Sequence, residues 1–465
     1  MTDCVKSLGN ESDFELGKLE GVFVEKSLVL LLGSIFLASV SLAGCNGSPQ
    51  QAEGVSKEAS SAAPSTKEPE VPPEPVTLVF YVARGDLPDE EFEAYFVKPV
   101  KKKYPHITLK LVRAGTGTQL QDMVAAGEQM DIIYNSQGGW SALLDTKLPA
   151  DITELMKTEK VETSRFDPVA MGWLQGQGTP GQLLGLPFTL NGSALFYNKD
   201  IFDKFGVGYP TDHMTWDEVI NLGKRVARTD GSVKYRPLLT PGLDKFASQL
   251  TPSYTDPKTD APLLDSEKWK KAGTYLQNIY SLPNNDEIVP VTQYFKDQIV
   301  AMYAGVSVYY VDQMKQMNKA GTTFNWGMVT YPDFPERTGK AMPLDAQSLI
   351  LSSTSKYKKQ AFAVMAVATS EEVQREMNRE GRIPGLNKPE WRSEYSSNLP
   401  FLKGKNLESI FKLEASVADR GKYYDDVVKF VDQAQRKIIG GTDVNTVLRE
   451  ANDAAAQAIR AKKKQ

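Results

Sequence analysis

Apolar residues are spaced along this chain in three regimes. Leu28 to Leu42 (LVLLLGSIFLASVSL) is an unbroken apolar and small-residue run preceded by Lys26. Asn46 to Pro75 is Ser, Ala, Glu and Pro with almost no large apolar side chain. From Val76 onward the pattern becomes periodic. VTLVFYV (76–82) is β-branched and aromatic and predicts a strand. Phe92, Phe96 and Val100 recur at helical spacing over 88–103, a stretch ending in Lys101-Lys102-Lys103 at the negative end of a helix. HITLKLV (106–112) alternates as a strand does, 118–127 suits a helix stopped by Gly127, and MDIIYNS (130–136) reads as a buried strand. The order β-α-β-α-β calls for a parallel sheet with right-handed crossovers and an α/β fold class. Ligands in such sheets sit off the carboxyl ends of the strands. Those ends are Arg84-Gly85-Asp86 and Asn135-Ser136-Gln137-Gly138-Gly139-Trp140.

The first run is too short for a membrane span, which needs about 20 apolar residues, and suits the apolar centre of an export signal. It ends in Leu42-Ala43-Gly44-Cys45, which resembles the lipobox of bacterial lipoproteins. That resemblance implies a signal over 1–44, cleavage before Cys45 and a lipid on its sulfur. Residues 1–21 carry five acids and two lysines, the wrong balance for a signal's start, so initiation is expected downstream at Val24. Residues 45–75 then form a lipidated cysteine and a disordered leash, since such a composition cannot bury a core. The expected location is the extracellular face of the cell membrane, lipid-anchored, with two acyl chains giving a stable hold.

Composition narrows the function. Of 465 residues, 41% are hydrophobic and 24% charged, an ordinary globular balance, and the length allows two to four domains or lobes. The formal net charge is −4, so no overall positive field is available for nucleic acid. Two cysteines (Cys4, Cys45) and two histidines (His106, His213) make a His/Cys metal site hard to build. No HExxH, GxSxG, P-loop or EF-hand pattern occurs. The reading is therefore no enzyme, no cofactor and no metal.

The stretch 185–226 is the most informative. It contains Gly185-Leu186-Pro187, then Ala194-Leu195-Phe196-Tyr197-Asn198-Lys199-Asp200-Ile201-Phe202, Lys204 and Gly206, then Thr215-Trp216-Asp217-Glu218. The last four form a capping box that opens a helix with Val219, Leu222 and Val226 inward. This run resembles the family-one extracellular solute-binding proteins, the maltose-binding class of receptors for ABC importers. Thr211-Asp212-His213-Met214 is a small insert relative to that pattern. Phe295-Lys296-Asp297 through Ala301-Met302 to Gly305 is similar to a second family motif, with Gln298 in place of a glycine. Ser370-Glu371-Glu372-Val373-Gln374 and Gly381-Arg382-Ile383-Pro384-Gly385 resemble later ones, and the whole resemblance covers about 76–460.

The resemblance implies a two-lobe, type II periplasmic-binding-protein-like α/β fold with an interlobe cleft. One lobe would be 76–190 plus 346–384, the other 193–343 plus 386–460. The chain would cross near Leu190–Ser193, Pro343–Gln347 and Ile383–Asn387. Gly192 and Gly385 suit hinges, or are ordinary turn glycines. Function in this class is capture by closure: a sugar, expected to be an oligosaccharide, bound by a monomer and passed to ABC permease subunits. Aromatic faces and polar side chains at strand ends and crossings would hold it. The candidates are Arg84, Asp86, Asn135, Gln137, Trp140, Phe188, Asn191, Asp244, Tyr303, Tyr309, Asp345 and Gln347. The family often has Gly-Gly where this chain has Asp345-Ala346-Gln347. Trp216 and Trp326 read as core. Gly176, Gly178 and Gly181 satisfy GxGxxG only formally, because Pro180 interrupts. Alternatives that stay open are a same-fold receptor for a polyamine, iron or a phosphodiester, and an exported lyase or hydrolase.

Overall fold

The structure is a computed structural model that describes residues 74–416, 421 and 423–464, all within one unit, Val71–Gln465. The export signal, Cys45 and the leash expected before Val76 fall on residues that lie, but for Glu74 and Pro75, outside the described ones. Strands run β1 (Val76–Val82), β2 (Ile107–Arg113), β3 (Ile132–Ser136), β4 (Leu186–Asn191), β5 (Ser193–Asn198), β6 (Thr229–Asp230), β7 (Val233–Lys234), β8 (Arg236–Leu239), β9 (Val300–Val306), β10 (Trp326–Thr330), β11 (Lys340–Pro343), β12 (Asp345–Leu351), β13 (Ile383–Pro384) and β14 (Glu414–Ser416).

Two main sheets result. The first has the order β13-β4-β12-β3-β1-β2, with β1 parallel to both β2 and β3, as the sequence predicts. β12 enters it antiparallel, between β3 and β4. The second has the order β10-β5-β9-β8, antiparallel except for β8 and β9. One apolar core surrounds the first sheet, from Leu78 and Phe80 to Phe362 and Met365. Two others cover the faces of the second, one around Trp216 and Trp269, one around Phe196, Tyr310 and Trp326.

The chain passes between sheets where single residues separate strands. Gly192 alone lies between β4 and β5, and Leu344 alone between β11 and β12. Neither Gly192 nor Gly385 has a positive φ. Both are needed for close approach instead. A Cβ on Gly192 would lie 2.4 Å from Ile410 Cγ2, and one on Gly385 would lie 2.4 Å from the Pro187 carbonyl oxygen.

Local structure follows local chemistry. The helix predicted over 88–103 keeps Phe92, Phe96 and Val100 buried but is not uniform. It widens into a π turn over Glu93–Val97 between Asp89–Phe92 and Lys98–Lys103. Pro99 accounts for this, since its ring would collide with the carbonyl four residues back in a regular helix. Gly127 takes φ +64° as the predicted stop. The capping box forms around Trp216–Val226: Glu218 N–H donates to Thr215 Oγ1 at 3.3 Å and Thr215 N–H to Glu218 Oε2 at 2.7 Å. The insert at 211–214 is not a free loop. The Asp212 carboxylate accepts from Thr330 N–H at 2.9 Å and from Asn406, and pairs with Lys412. Burial pushes its pKa up, but these bonds win and hold it below the usual carboxylate value.

Gln298, which stands where the family motif has glycine, adopts φ +56°. A side chain in that region costs about 1–2 kcal/mol, whereas glycine accepts it at an entropy cost of roughly 0.5–1 kcal/mol. Gln298→Gly is therefore expected to leave stability unchanged or raise it by up to about 1 kcal/mol in urea unfolding, against the usual destabilising trend of point changes.

Candidate binding cleft

The predicted residues separate into those the structure brings together and those it takes into the core. Asp244 lies on the helix Leu243–Ser248, which packs into a core of the second sheet, and is half-buried. Its carboxylate accepts hydrogen bonds from the hydroxyls of Tyr254 and, at 3.1 Å, Tyr424. Asn191 ends β4 and Asp345 opens β12, directly paired across the sheet. These three residues line one pocket at the crossings, partly open to solvent. Lys245, Ser248 and Thr251 add a cation and hydroxyls, and Tyr254, Met342 and Pro343 add apolar surface. The Asn191 Oδ1 atom is buried and has no hydrogen-bond partner, an acceptor left open at the crossing.

A second group lies at the carboxyl ends of β1 and β3. Arg84 is exposed and its Nη1 donates to the Gly138 carbonyl at 3.2 Å, tying the two strand-end loops together. Asp86 is exposed beside Tyr309, the half-buried residue in the first turn of the helix Ser307–Lys319. Burial and the Asp86 charge both push the Tyr309 hydroxyl pKa up. Gln137 connects the groups, since its backbone N–H meets Asp345 Oδ1 at 3.2 Å.

Five candidates are drawn toward the core by their surroundings. Trp140 is 1% exposed and packs edge-on against Trp173 at 5.5 Å, so it offers no open face for stacking. Phe188 is 1% exposed and packs against Phe96 at 4.9 Å and Tyr134 at 6.1 Å, inside the first lobe's core. Gln347 is buried, with its side-chain oxygen taken by the Tyr134 hydroxyl. Tyr303 lies over its own strand at Gly305 and stacks beside Phe196, part of the second lobe's aromatic cluster. Asn135 is also buried; its amide has no partner, and it sits against Gly139, where a Cβ would come within 2.3 Å of its Oδ1. Aromatic neighbours claim Trp140, Phe188 and Tyr303, and a hydroxyl claims Gln347, at positions that had read as free.

Sequence reasoning missed Lys245, Ser248 and Tyr254. The first two were within reach, because 244, 245 and 248 share one face of a helix. Tyr254 sits in a loop and carried no periodic signal. Among the described residues no group of three or more His, Cys, Asp or Glu side chains is placed to hold a metal. The pocket therefore offers carboxylates, an amide, hydroxyls and one ammonium around an apolar wall, a donor and acceptor set suited to a small polyhydroxylated molecule.

Comparison with known proteins bears on the family and the fold. The family model described as bacterial extracellular solute-binding protein matches residues 85–375. Over 285 residues the chain is 27% identical to the arabinooligosaccharide-binding protein of Bacillus subtilis (strain 168), a match covering 59% of this chain and 55% of that relative. The chain thus spans about half the length of that curated relative. An ABC substrate-binding protein from Listeria monocytogenes, in complex with cycloalternan, superposes with a TM-score of 0.68 at 17% identity, covering 83% of this chain and 99% of the other. UgpB from Mycobacterium tuberculosis, in complex with glycerophosphocholine, gives 0.64 at 14% identity, covering 83% and 99%.

Proposed function

This chain belongs to the bacterial extracellular solute-binding proteins, and from that premise we propose that it captures an oligosaccharide by closure of its two lobes and delivers it to an ABC transporter's permease. The observation that carries the reading is the pocket at the crossings, where Asn191 and Asp345 of the first sheet meet Asp244, Lys245 and Ser248 of a helix packed beside the second. A solute bonded from both sides binds the shut form better and shifts the population toward it. The arabinooligosaccharide and cycloalternan named for the relatives support a sugar of more than one ring. We further propose that Cys45 carries the lipid that holds the receptor at the extracellular face; no described helix is long and apolar enough to cross a membrane.

A second reading, a phosphodiester receptor, is favoured by the glycerophosphocholine complex of a structural neighbour. Asp244 and Asp345 oppose it, because two carboxylates in the pocket repel a phosphate.

The test is titration calorimetry of the full chain against arabinotriose, maltotriose, cycloalternan, glycerophosphocholine and spermidine. Heat from a carbohydrate supports the proposal. Heat from glycerophosphocholine or spermidine alone overturns it. For the sugar that binds, Asp244→Ala and Asp345→Ala are each expected to weaken affinity about 10- to 100-fold, the range of a lost hydrogen bond to a charged group. Unchanged affinity in both would move the site away from this pocket.

A further inference from the structure

The helix Ser307–Lys319 is anchored in the second lobe, where Tyr310 stacks on Phe196 of β5 with ring centroids 3.6 Å apart. Another face of it meets the first lobe at the helix Asp89–Phe92, which packs on β1 through Phe92 and Phe80 at 5.1 Å. Charged side chains fill this contact, and the pocket at the crossings uses none of them.

Arg382 lies just before β13 and is 1% exposed. Its Nε donates to the two oxygens of Glu91 at 3.1 and 3.0 Å. Its Nη2 lies 2.8 Å from Glu91 Oε2 and 2.9 Å from Asp312 Oδ2. One guanidinium thus holds a carboxylate from each lobe, both buried. Lys315 Nζ lies 3.5 Å from Glu91 and 3.8 Å from Asp312, and at the rim Lys319 pairs with Glu90 at 2.6 Å. Asp86 at the end of β1 also acts on Asp312. Tyr95 and Tyr395 couple weakly to Asp312, and Tyr134 to Arg382 and Glu91.

We propose that Asp312 is a proton site coupled to closure: the shut form takes up a proton there, and the open form releases it. Glu91 and Asp312 crowd against the Arg382 guanidinium in a buried contact, and Lys315 stands farther off, at 3.5 and 3.8 Å, so burial and mutual repulsion of the two carboxylates are only partly offset. Burial is the largest influence and pushes the Asp312 pKa up to about 7, with Glu91 and Asp86 adding to it and Arg382 and Lys315 opposing it. Parting the lobes returns Asp312 to water and takes it away from Glu91 on the opposite lobe, where an ordinary aspartate titrates near about 4. The sign follows from linkage. The pKa of an acid is higher in the shut form, so the shut form binds the proton more tightly. Closure therefore gains as pH falls through 7 and gains nothing further below about 4, where both forms are protonated. Between pH 8 and pH 6 the ratio of shut to open molecules is expected to rise about tenfold.

The proposal rests on lobe closure but not on the solute being a sugar, so its test uses no solute. Nitroxide labels are placed in the full chain at Lys110→Cys on β2 and Asn445→Cys on the last helix, with Cys4 and Cys45 changed to Ser. Pulsed dipolar spectroscopy then reads the distance populations at pH 6 and pH 8. The expected result is a shift to the shorter distance at pH 6. Asp312→Asn mimics the protonated acid and is expected to hold the pH 6 distribution at both values. Lys315→Met removes an opposing cation and is expected to move the midpoint to higher pH. Distributions that are identical at pH 6 and pH 8 in the parent, or a shift that survives Asp312→Asn, overturn the proposal. A carbohydrate panel that gives no heat would remove the sugar reading and leave this result standing.

Discussion

Arg382→Leu is expected to lower the free energy of unfolding by about 3–5 kcal/mol, read from urea denaturation of the full chain at pH 8. The reason is the charge left behind more than the bonds lost. Glu91 and Asp312 are both buried and both depend on the same guanidinium. With Leu at 382 only Lys315 remains near them, at 3.5 and 3.8 Å. Uncompensated carboxylates in a dry contact cost several kcal/mol, or else take up protons. The second escape gives the prediction its pH dependence. Protonation relieves the penalty, so the loss is expected to be smaller at pH 5.5 than at pH 8. A restoring variant follows: Glu91→Gln in the Arg382→Leu background removes one orphaned charge and is expected to recover part of the loss. An effect under about 1 kcal/mol at pH 8 would show that water reaches this cluster freely.

Trp216→Ala is expected to cost about 3–5 kcal/mol by the same measurement. Trp216 has no exposed surface and packs on Phe246 at 4.7 Å, Tyr331 at 5.3 Å and Phe334 at 6.1 Å. Its ring nitrogen donates to Gln249 Oε1 at 3.0 Å. Gln249 is itself fully buried and donates to the carbonyls of Pro332, at 2.8 Å, and Lys340, at 2.6 Å. Truncation thus opens a cavity and orphans a buried acceptor together. Trp216→Phe separates the two contributions. It keeps most of the ring and loses only the bond, for an expected cost of about 1–3 kcal/mol. Equal losses in the two variants would assign the whole effect to the hydrogen bond.

How legible the molecule was in its sequence depended on whether the governing forces were local. Strand β1, the parallel pairing of β1 with its neighbours and the capping box at Thr215 rest on short-range patterning, and they stand where the sequence put them. The break in the helix at Glu93–Val97 was also local, and Pro99 was its visible cause. What escaped were choices made between distant segments. Trp140 follows two glycines at a strand end, a place that reads as open, yet Trp173 comes from another helix to cover it. Phe188 lies at a crossing in sequence but is drawn inward by Phe96 and Tyr134. The Glu91, Asp312 and Arg382 cluster draws on three separated stretches, and no spacing rule joins them. Asp244, Asn191 and Asp345 do meet in one pocket, while Arg84, Asp86 and Tyr309 gather elsewhere at the cleft.

The placing of β12 between β3 and β4 bears on how the chain is made. Its neighbours in the sheet are synthesised long before it, with the whole second sheet in between. Until Asp345–Leu351 emerges, β3 lacks a partner along one edge and β4 along both, and the early strands cannot seal. Pairings between segments so far apart in sequence form slowly. The amino-terminal half of the first sheet therefore stays pliable while the remainder is still being translated.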